Sequence, residues 1–474
     1  MGLRRELTLF QATALNMIDM VGIGPFLTTA MVAATMGFGP YALLAWIAGS
    51  VLAFVDACIW SELGAKMPLA GGSYAFLRES YGADKWGRLM SFLFVWQTTF
   101  QAPLVITSAA LGFSLYASYI VPLDPTQSRL IGASLVVIIV ALLYRRVGAV
   151  GKISVVLWVA VIITLVGLIV SGLTHVRPEA VTEFWSATTS GGAIGNLDWN
   201  MLGLATIGTV YSYLGYYNIC HLGGEVRDPQ RSIPRSMFIS VAGITLLYLL
   251  MQVAIYAVLP ISEIASSKFV VATFFERLYG TQVAQIATGL VLIVALSSLF
   301  SLMLGYTRIP YAAAKDGLFF EVFGREHPTK NFPHVSLLVL GALGVLFSLT
   351  LSLDATIKSI ITMRVFTQFI AQAVGLMVLR KRIGANAMPW RMWLYPVPII
   401  LVIIGWLAIF VSAKPVVVGA TVSTEGVPLP LAQMAGLAMP IIGSCVYCVL
   451  AWRQGAWPFN KEPLNHASNG GGSV

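Results

Sequence analysis

Gly22-Ile23-Gly24-Pro25 interrupts the first long apolar stretch of this 474-residue chain. Proline removes a backbone donor and glycine weakens a helix, so a regular helix is not expected to pass through these residues. Every backbone polar group inside a bilayer needs a partner, and a broken membrane helix is therefore found where it lines a cavity or contacts a ligand. The interruption predicts a binding site near the middle of the membrane.

The composition predicts an all-α integral membrane protein with twelve transmembrane helices. Hydrophobic residues make up 57% of the chain and charged residues only 10%, whereas soluble domains carry about 25% charged residues. A membrane-crossing helix needs roughly 20 apolar residues. The predicted spans are 9–36, 40–65, 88–119, 129–144, 153–173, 199–223, 236–259, 282–306, 335–353, 357–379, 394–413 and 430–452.

The distribution of basic residues predicts the orientation. With a cytoplasmic N-terminus, inner loops hold 22 of the 29 Lys and Arg residues and outer loops hold six, while Arg364 falls within a span. Basic loops remain in the cytoplasm, so both termini are predicted to be cytoplasmic in a multi-pass protein of the inner or plasma membrane. The net charge of +9 follows from this topology. The expected partners are the lipid bilayer and a small-molecule substrate, and no nucleic acid.

A second interruption, Ser212-Tyr-Leu-Gly-Tyr-Tyr217, lies in the sixth span. Spans one to five and six to ten then each begin with a broken helix, and the second set enters the membrane from the opposite side. This arrangement is typical of an inverted repeat with a site at its centre. The predicted divisions are 1–175 for the first repeat, 199–382 for the second, 392–455 for two further helices and 456–474 for a flexible cytoplasmic tail.

The chain resembles the amino acid–polyamine–organocation transporter superfamily in three segments. They are Gly22-Ile-Gly-Pro-Phe26, Ser61-Glu-Leu-Gly64 with Pro68-Leu-Ala-Gly-Gly-Ser-Tyr74, and Gly223-Gly-Glu-Val-Arg-Asp-Pro229; a weaker fourth runs from Arg308 to Gly317. The resemblance implies the LeuT-type fold, with five plus five inverted helices. It also implies a permease that works by alternating access, without a cofactor, and that is not an enzyme.

Unwound helices expose N–H groups where a half-helix begins and C=O groups where one ends. Because a helix N-terminus attracts anions, the amides of the first break are expected to bind a substrate carboxylate. Carbonyl groups at the second break are expected to accept hydrogen bonds from the substrate ammonium. The resemblance carries these roles to Gly22, Ile23, Gly24, Ser212, Leu214 and Gly215. The alternative is that the glycines only permit close helix packing.

Two carboxylates are expected within the spans. Asp19 precedes the first break by three residues, and such a residue usually faces a cavity. It is expected to bind a substrate ammonium or to exchange a proton, the alternative being a helix cap. Asp56 is predicted to lie at a similar depth in the second span. The hypothesis is that both acids line an inner vestibule and share protons; alternatively, Asp56 is a solvated acid in a narrow pathway.

Other polar residues complete the predicted site. Gln101, Tyr211 and Tyr217 are expected to contact the substrate. Arg364, about 11 Å from the outer end of its span, is expected either to snorkel outward or to form a gate with a carboxylate, and snorkelling is favoured.

Ser298, flanked by Ser297 and Ser301, is a candidate sodium ligand, although serines in helices more often bond to the preceding turn. No metal site is expected, because Cys445-x-x-Cys448 lies in an apolar helix without histidine.

Two features of some relatives are missing, a lysine midway along span five and a glutamate on span six where Tyr217 stands. The predicted function is transport of small amino acids, coupled to protons as a symporter or working as an exchanging antiporter. The alternatives are transport of cationic amino acids or polyamines, suggested by Asp19 and Asp56, and sodium coupling. A channel or a membrane hydrolase is disfavoured, because neither repeated pore segments nor a nucleophile–base pair is recognisable.

Overall fold

A computed structural model describes residues 5–145, 147–186, 197–351, 353, 356, 360, 363–412, 429–455 and 457–459. The first ten helices are α1 (Leu9–Met20), α2 (Gly24–Met36), α3 (Gly39–Lys66), α4 (Ser73–Ser80), α5 (Trp86–Ile120), α6 (Pro125–Leu143), α7 (Val147–Thr174), α8 (Pro178–Phe184), α9 (Trp199–Tyr213) and α10 (Asn218–His221). The others are α11 (Pro229–Tyr256), α12 (Ile261–Ser266), α13 (Val270–Tyr279), α14 (Thr281–Tyr306), α15 (Arg308–Lys315), α16 (His334–Thr350), α17 (Ala371–Ile383), α18 (Val397–Ser412) and α19 (Leu429–Gln454), with a π-helical segment at Val365–Ile370.

The described residues form helices wherever a long apolar stretch was predicted, and they form no strand, only two isolated β-bridges. Within the described residues, seven helices are long and apolar enough to cross a membrane, and the bent pair α1–α2 adds an eighth. Helices α16 and α18 are apolar but shorter, with 17 and 16 residues. The all-helical membrane architecture is therefore confirmed, whereas the count of twelve spans and the inverted repeat remain predictions. Most of the predicted tail, and of residues 357–362 in the tenth span, lies outside the described ranges.

The first predicted break separates α1 from α2. Helix α1 ends at Met20, α2 begins at Gly24, and the two axes differ by 42°. Pro25 occupies the first turn of α2, where its missing N–H is not needed. At Gly22 a Cβ atom would lie 2.6 Å from the Ser298 hydroxyl oxygen, so glycine allows the break to pack directly on α14.

The second predicted break separates α9 from α10 at Leu214–Tyr217. Gly215 has a φ of +118°, which L side chains rarely adopt. A Cβ atom there would lie 2.8 Å from backbone atoms of both Asp19 and Met20. Glycine at this position therefore lets the second break touch the end of α1, and the two interruptions form one structural unit.

Side chains from distant elements satisfy the backbone at this junction. Asn16 accepts a hydrogen bond from the Ile219 N–H at 2.9 Å, at the start of α10. The Tyr248 hydroxyl on α11 lies 2.8 Å from the Met20 carbonyl oxygen and 3.2 Å from that of Ser212. One hydroxyl thus reaches the last turns of both α1 and α9, which fixes the two half-helices relative to each other.

Two buried ion pairs connect distant segments at the end predicted to face the cytoplasm. The Arg308 guanidinium donates from Nε and Nη2 to the Glu225 carboxylate at 2.8 and 3.2 Å. The Arg380 guanidinium donates through the same two nitrogens to Glu62, both at 2.6 Å. Both glutamate side chains are fully buried, so each pair is a strongly constrained contact between distant segments.

Candidate functional site

A cavity lies where the two breaks meet. It encloses about 480 Å³ including its mouth, of which about 50 Å³ is open to the centres of water molecules, enough for several waters. Its wall consists of Asp19, Met20, Gly22, Ile23, Gly24, Val105, Ser108, Ala109, Tyr211, Ser212, Leu214, Gly215, Tyr217, Ser298, Leu302, Ile360 and Arg364. All predicted site residues except Gln101 and Asp56 are therefore brought together on one surface.

Two residues at the N-terminal end of α2 line the cavity and have unbonded N–H groups. Among the described residues, the N–H groups of Ile23 and Gly24 donate to no backbone or side-chain acceptor, and both residues line the wall. The first N–H groups of a helix lack internal partners and carry partial positive charge. This part of the wall is chemically suited to a carboxylate.

Acceptor groups occupy the neighbouring part of the wall. The backbone carbonyls of Asp19 and Leu214 accept no hydrogen bond among the described residues, and both residues line the cavity. The Asp19 side chain is buried, and its Oδ1 atom has no hydrogen-bond partner. Two free carbonyls and a carboxylate oxygen together suit an ammonium group, which has three donors.

Arg364 corrects the preferred prediction that this side chain snorkels outward. Its side chain is only 2% exposed and lines the cavity. The Nη1 atom donates to the Tyr217 hydroxyl, and the guanidinium lies 5.8 and 5.6 Å from the ring centroids of Tyr217 and Tyr306. Such cation–π contacts stabilise an arginine away from water. The π-helical segment that begins at the next residue widens the helix here, a feature that often accompanies functional sites.

Asp56 lies behind the second break and not on the cavity wall. Its Oδ2 atom accepts hydrogen bonds from Trp60 Nε1 at 3.1 Å and from the Tyr216 hydroxyl. Tyr216 and Tyr217 are adjacent, so the unwound segment connects Asp56 on one side to Arg364 on the other. Proton sharing between Asp56 and Asp19 stays a prediction.

Gln101 is also absent from the cavity wall. It lies one helical turn before Val105 on α5, a displacement of about 6 Å along the axis. Both polar atoms of its side chain are buried without partners. The same stripe of α5 instead contributes Val105, Ser108 and Ala109. Sequence reasoning missed these three because small and apolar residues in a membrane helix usually indicate packing.

The three serines on α14 have different contacts. Ser297 donates to the Ile293 carbonyl at 2.6 Å, which is the local bond expected of a helical serine. Ser301 donates to the Leu15 carbonyl at 2.9 Å and thereby connects α14 to α1. Ser298 is the one of the three that lines the cavity.

Replacing Tyr248 tests the connection between the half-helices. Tyr248→Phe removes the hydroxyl that reaches both carbonyls, and a hydrogen bond of this kind is worth about 1 kcal/mol. We expect substrate uptake by reconstituted protein to fall about five- to tenfold, because the breaks lose their fixed relation. Tyr256→Phe on the same helix is the matched control, since the buried Tyr256 hydroxyl has no hydrogen-bond partner within the described ranges. If the two variants show equal uptake, the Tyr248 hydroxyl does not contribute to the site.

These features define a membrane protein whose candidate site is a cavity between two interrupted helices. The model of the family described as "Amino acid permease" matches residues 7–439. The chain is 25% identical to the serine/threonine exchanger SteT of Bacillus subtilis over 446 residues, which cover 92% of this chain and 95% of SteT. It is 28% identical to mouse cationic amino acid transporter 4 over 394 residues, covering 78% of this chain and 59% of that protein.

A third relative is the mouse Asc-type amino acid transporter 1, 26% identical over 455 residues that cover 90% of this chain and 81% of the relative. The chain belongs to the amino acid permease family, within the superfamily that its motifs resemble. It is accordingly a multi-pass membrane protein.

Proposed function

We propose that this protein is a secondary active transporter that carries amino acids across the cytoplasmic membrane by alternating access, with both termini in the cytoplasm. The observation that carries the proposal is a cavity whose wall includes both Ile23 and Gly24, with unbonded N–H groups, and Asp19 and Leu214, with carbonyls unbonded among the described residues. A zwitterionic amino acid is complementary to both sets of groups. The relatives described as amino acid transporters and exchangers support the same conclusion.

The substrate carboxylate binds the N–H groups of Ile23 and Gly24, and the ammonium binds the carbonyls of Asp19 and Leu214. The Asp19 carboxylate adds a negative charge beside the ammonium. These contacts recognise the part that all amino acids share, and the remaining wall selects the side chain. Residues from both broken helices touch one substrate, so binding favours one relative position of the half-helices.

A cationic amino acid or polyamine is the second candidate, favoured by Asp19 in the cavity and by the relative described as a cationic amino acid transporter. Arg364 in the same wall opposes it, because a second positive charge on the substrate would be repelled at close range. Sodium coupling would use Ser298, which lines the cavity.

Counterflow in proteoliposomes tests the proposed function. Vesicles loaded with unlabelled L-alanine are expected to accumulate labelled L-alanine, and vesicles loaded with putrescine are not. Asp19→Asn separates the candidates, since it should abolish uptake of a dication and reduce alanine uptake less. If the folded protein shows no counterflow with any amino acid tested, the transporter proposal is rejected.

We further propose that Asp56 carries the coupling proton, since it holds Tyr216 in the unwound segment. Asp56→Asn retains an oxygen that accepts the bonds of Tyr216 and Trp60 but has no exchangeable carboxyl proton. With this variant, an imposed pH gradient is expected to cause no more substrate accumulation in vesicles than is seen without a gradient. Exchange of substrates should continue. Asp124→Asn, an exposed cap that asparagine also satisfies, is the control. Gradient-driven accumulation by the Asp56 variant would contradict the assignment.

A further inference from the structure

The buried arginines of this protein show how its bundle pairs a guanidinium with a carboxylate. Arg308 and Arg380 each use the edge formed by Nε and Nη2, and each holds both oxygens of one glutamate. Two parallel hydrogen bonds from this edge match the planar carboxylate in spacing and direction. Both arginines therefore have complete partners within the chain.

Arg364 lines the cavity, and the same edge of its guanidinium has no partner among the described residues. Its Nη1 atom donates to Tyr217, whereas Nε and Nη2 are buried and make no hydrogen bond to the part of the chain that the structure describes. Asp19 is in the same cavity, but its Oδ1 is likewise unpartnered, so these groups do not satisfy each other. Buried charged donors without partners are costly, and their presence in a cavity indicates a ligand that completes them.

We propose that the Nε–Nη2 edge of Arg364 binds a side-chain carboxylate, and that the preferred substrates are acidic amino acids. The inference rests on the proposed transport function and adds the substrate class. The α-carboxylate already has matching donors in Ile23 and Gly24, and the ammonium has Asp19 and Leu214. A second carboxylate is the group that the remaining unpaired donors complement.

The charges of the wall agree with this assignment. Asp19 balances the ammonium and Arg364 balances the side-chain carboxylate, while the dipole of α2 faces the α-carboxylate. The small open space favours the four-carbon L-aspartate over the longer L-glutamate, since each added methylene must be accommodated by displacing the wall.

Competition between L-aspartate and L-asparagine tests the inference, because the two are nearly identical in shape and differ in the side-chain charge. In proteoliposomes of the full-length protein, we expect the inhibitory concentration of aspartate on labelled alanine counterflow to be at least about tenfold lower than that of asparagine. The reason is that a charge-assisted bidentate contact is stronger than a neutral one. Arg364→Gln should bring the ratio of the two inhibitory concentrations close to one. Arg277→Gln, from an exposed ion pair, is the matched control and should keep the wild-type ratio.

The outcomes distinguish this inference from the proposed function. If no amino acid supports counterflow, the transport function itself fails. If alanine is exchanged but asparagine competes as well as aspartate, only the acidic substrate class is overturned. An unchanged ratio in a folded Arg364→Gln protein would overturn it as well. If that variant does not fold, Arg364→Lys is tested instead. Lysine keeps the charge but cannot donate two parallel hydrogen bonds, so the ratio should fall below the wild-type value. An unchanged ratio rejects the proposal.

Discussion

Gly215→Ala is expected to lower substrate uptake by at least about tenfold, because the added methyl group displaces the end of α1 at the cavity in addition to imposing a backbone strain of about 1–3 kcal/mol. The φ of +118° is unfavourable for alanine, and the added methyl group would lie 2.8 Å from backbone atoms of Asp19 and Met20. Backbone atoms cannot relieve this contact by changing rotamer, as a flexible side chain can. The end of α1 must therefore move, and with it the carbonyls that face the cavity.

Gly317→Ala separates the two causes. Gly317 also has a positive φ, +70°, but a Cβ atom there would meet nothing within 4 Å. This control reports the backbone strain without the contact, so it should lower the unfolding temperature slightly and leave uptake near the wild-type level. Uptake is measured at equal amounts of reconstituted protein. Equal loss in both variants would mean that strain alone matters, and that Gly215 has no special part in the junction.

Local chemistry made the two breaks predictable. Gly22, Gly24 and Pro25 disfavour a regular helix whatever surrounds them, and a break at membrane depth requires a cavity or another partner. The predicted residues at both breaks therefore lie on the cavity wall. Apolar length similarly predicted where the helices are, because it depends on the membrane more than on contacts between helices.

Positions that depend on tertiary contacts were not predictable from the single sequence. For Arg364 on an isolated helix, the only polar surroundings within reach are at the membrane–water interface, so the sequence favours snorkelling. The fold instead places the rings of Tyr217 and Tyr306 beside the guanidinium. Asn16 and Tyr248 satisfy backbone groups that are exposed only once the helices are broken and packed. Such partners carry no local signature, and only the assembled bundle identifies them.

Glu225→Gln is expected to cause the largest loss of stability. The change leaves the Arg308 guanidinium, 3% exposed, without its counter-charge, and breaking one side of a buried pair costs about 3–5 kcal/mol. The Glu225 backbone carbonyl also accepts the N–H groups of Glu6 and Leu7 at 2.9 Å, so disorder here would spread to the segment before α1. Thermal inactivation of the purified protein should shift to a lower temperature by several degrees.

Two further variants show whether charge burial is the cause. Glu263→Gln removes one side of an exposed pair whose side chains are 44% and 31% accessible, and exposed pairs contribute about 0–1 kcal/mol, so little change is expected. Combining Glu225→Met with Arg308→Met removes both charges, and the stability should recover much of the loss seen in Glu225→Gln. If the double variant is as unstable as the single one, then the unpaired charge is not the cause, and the hydrogen bonds that Arg308 makes to Glu225, Leu304 and Thr307 stabilise this end of the bundle.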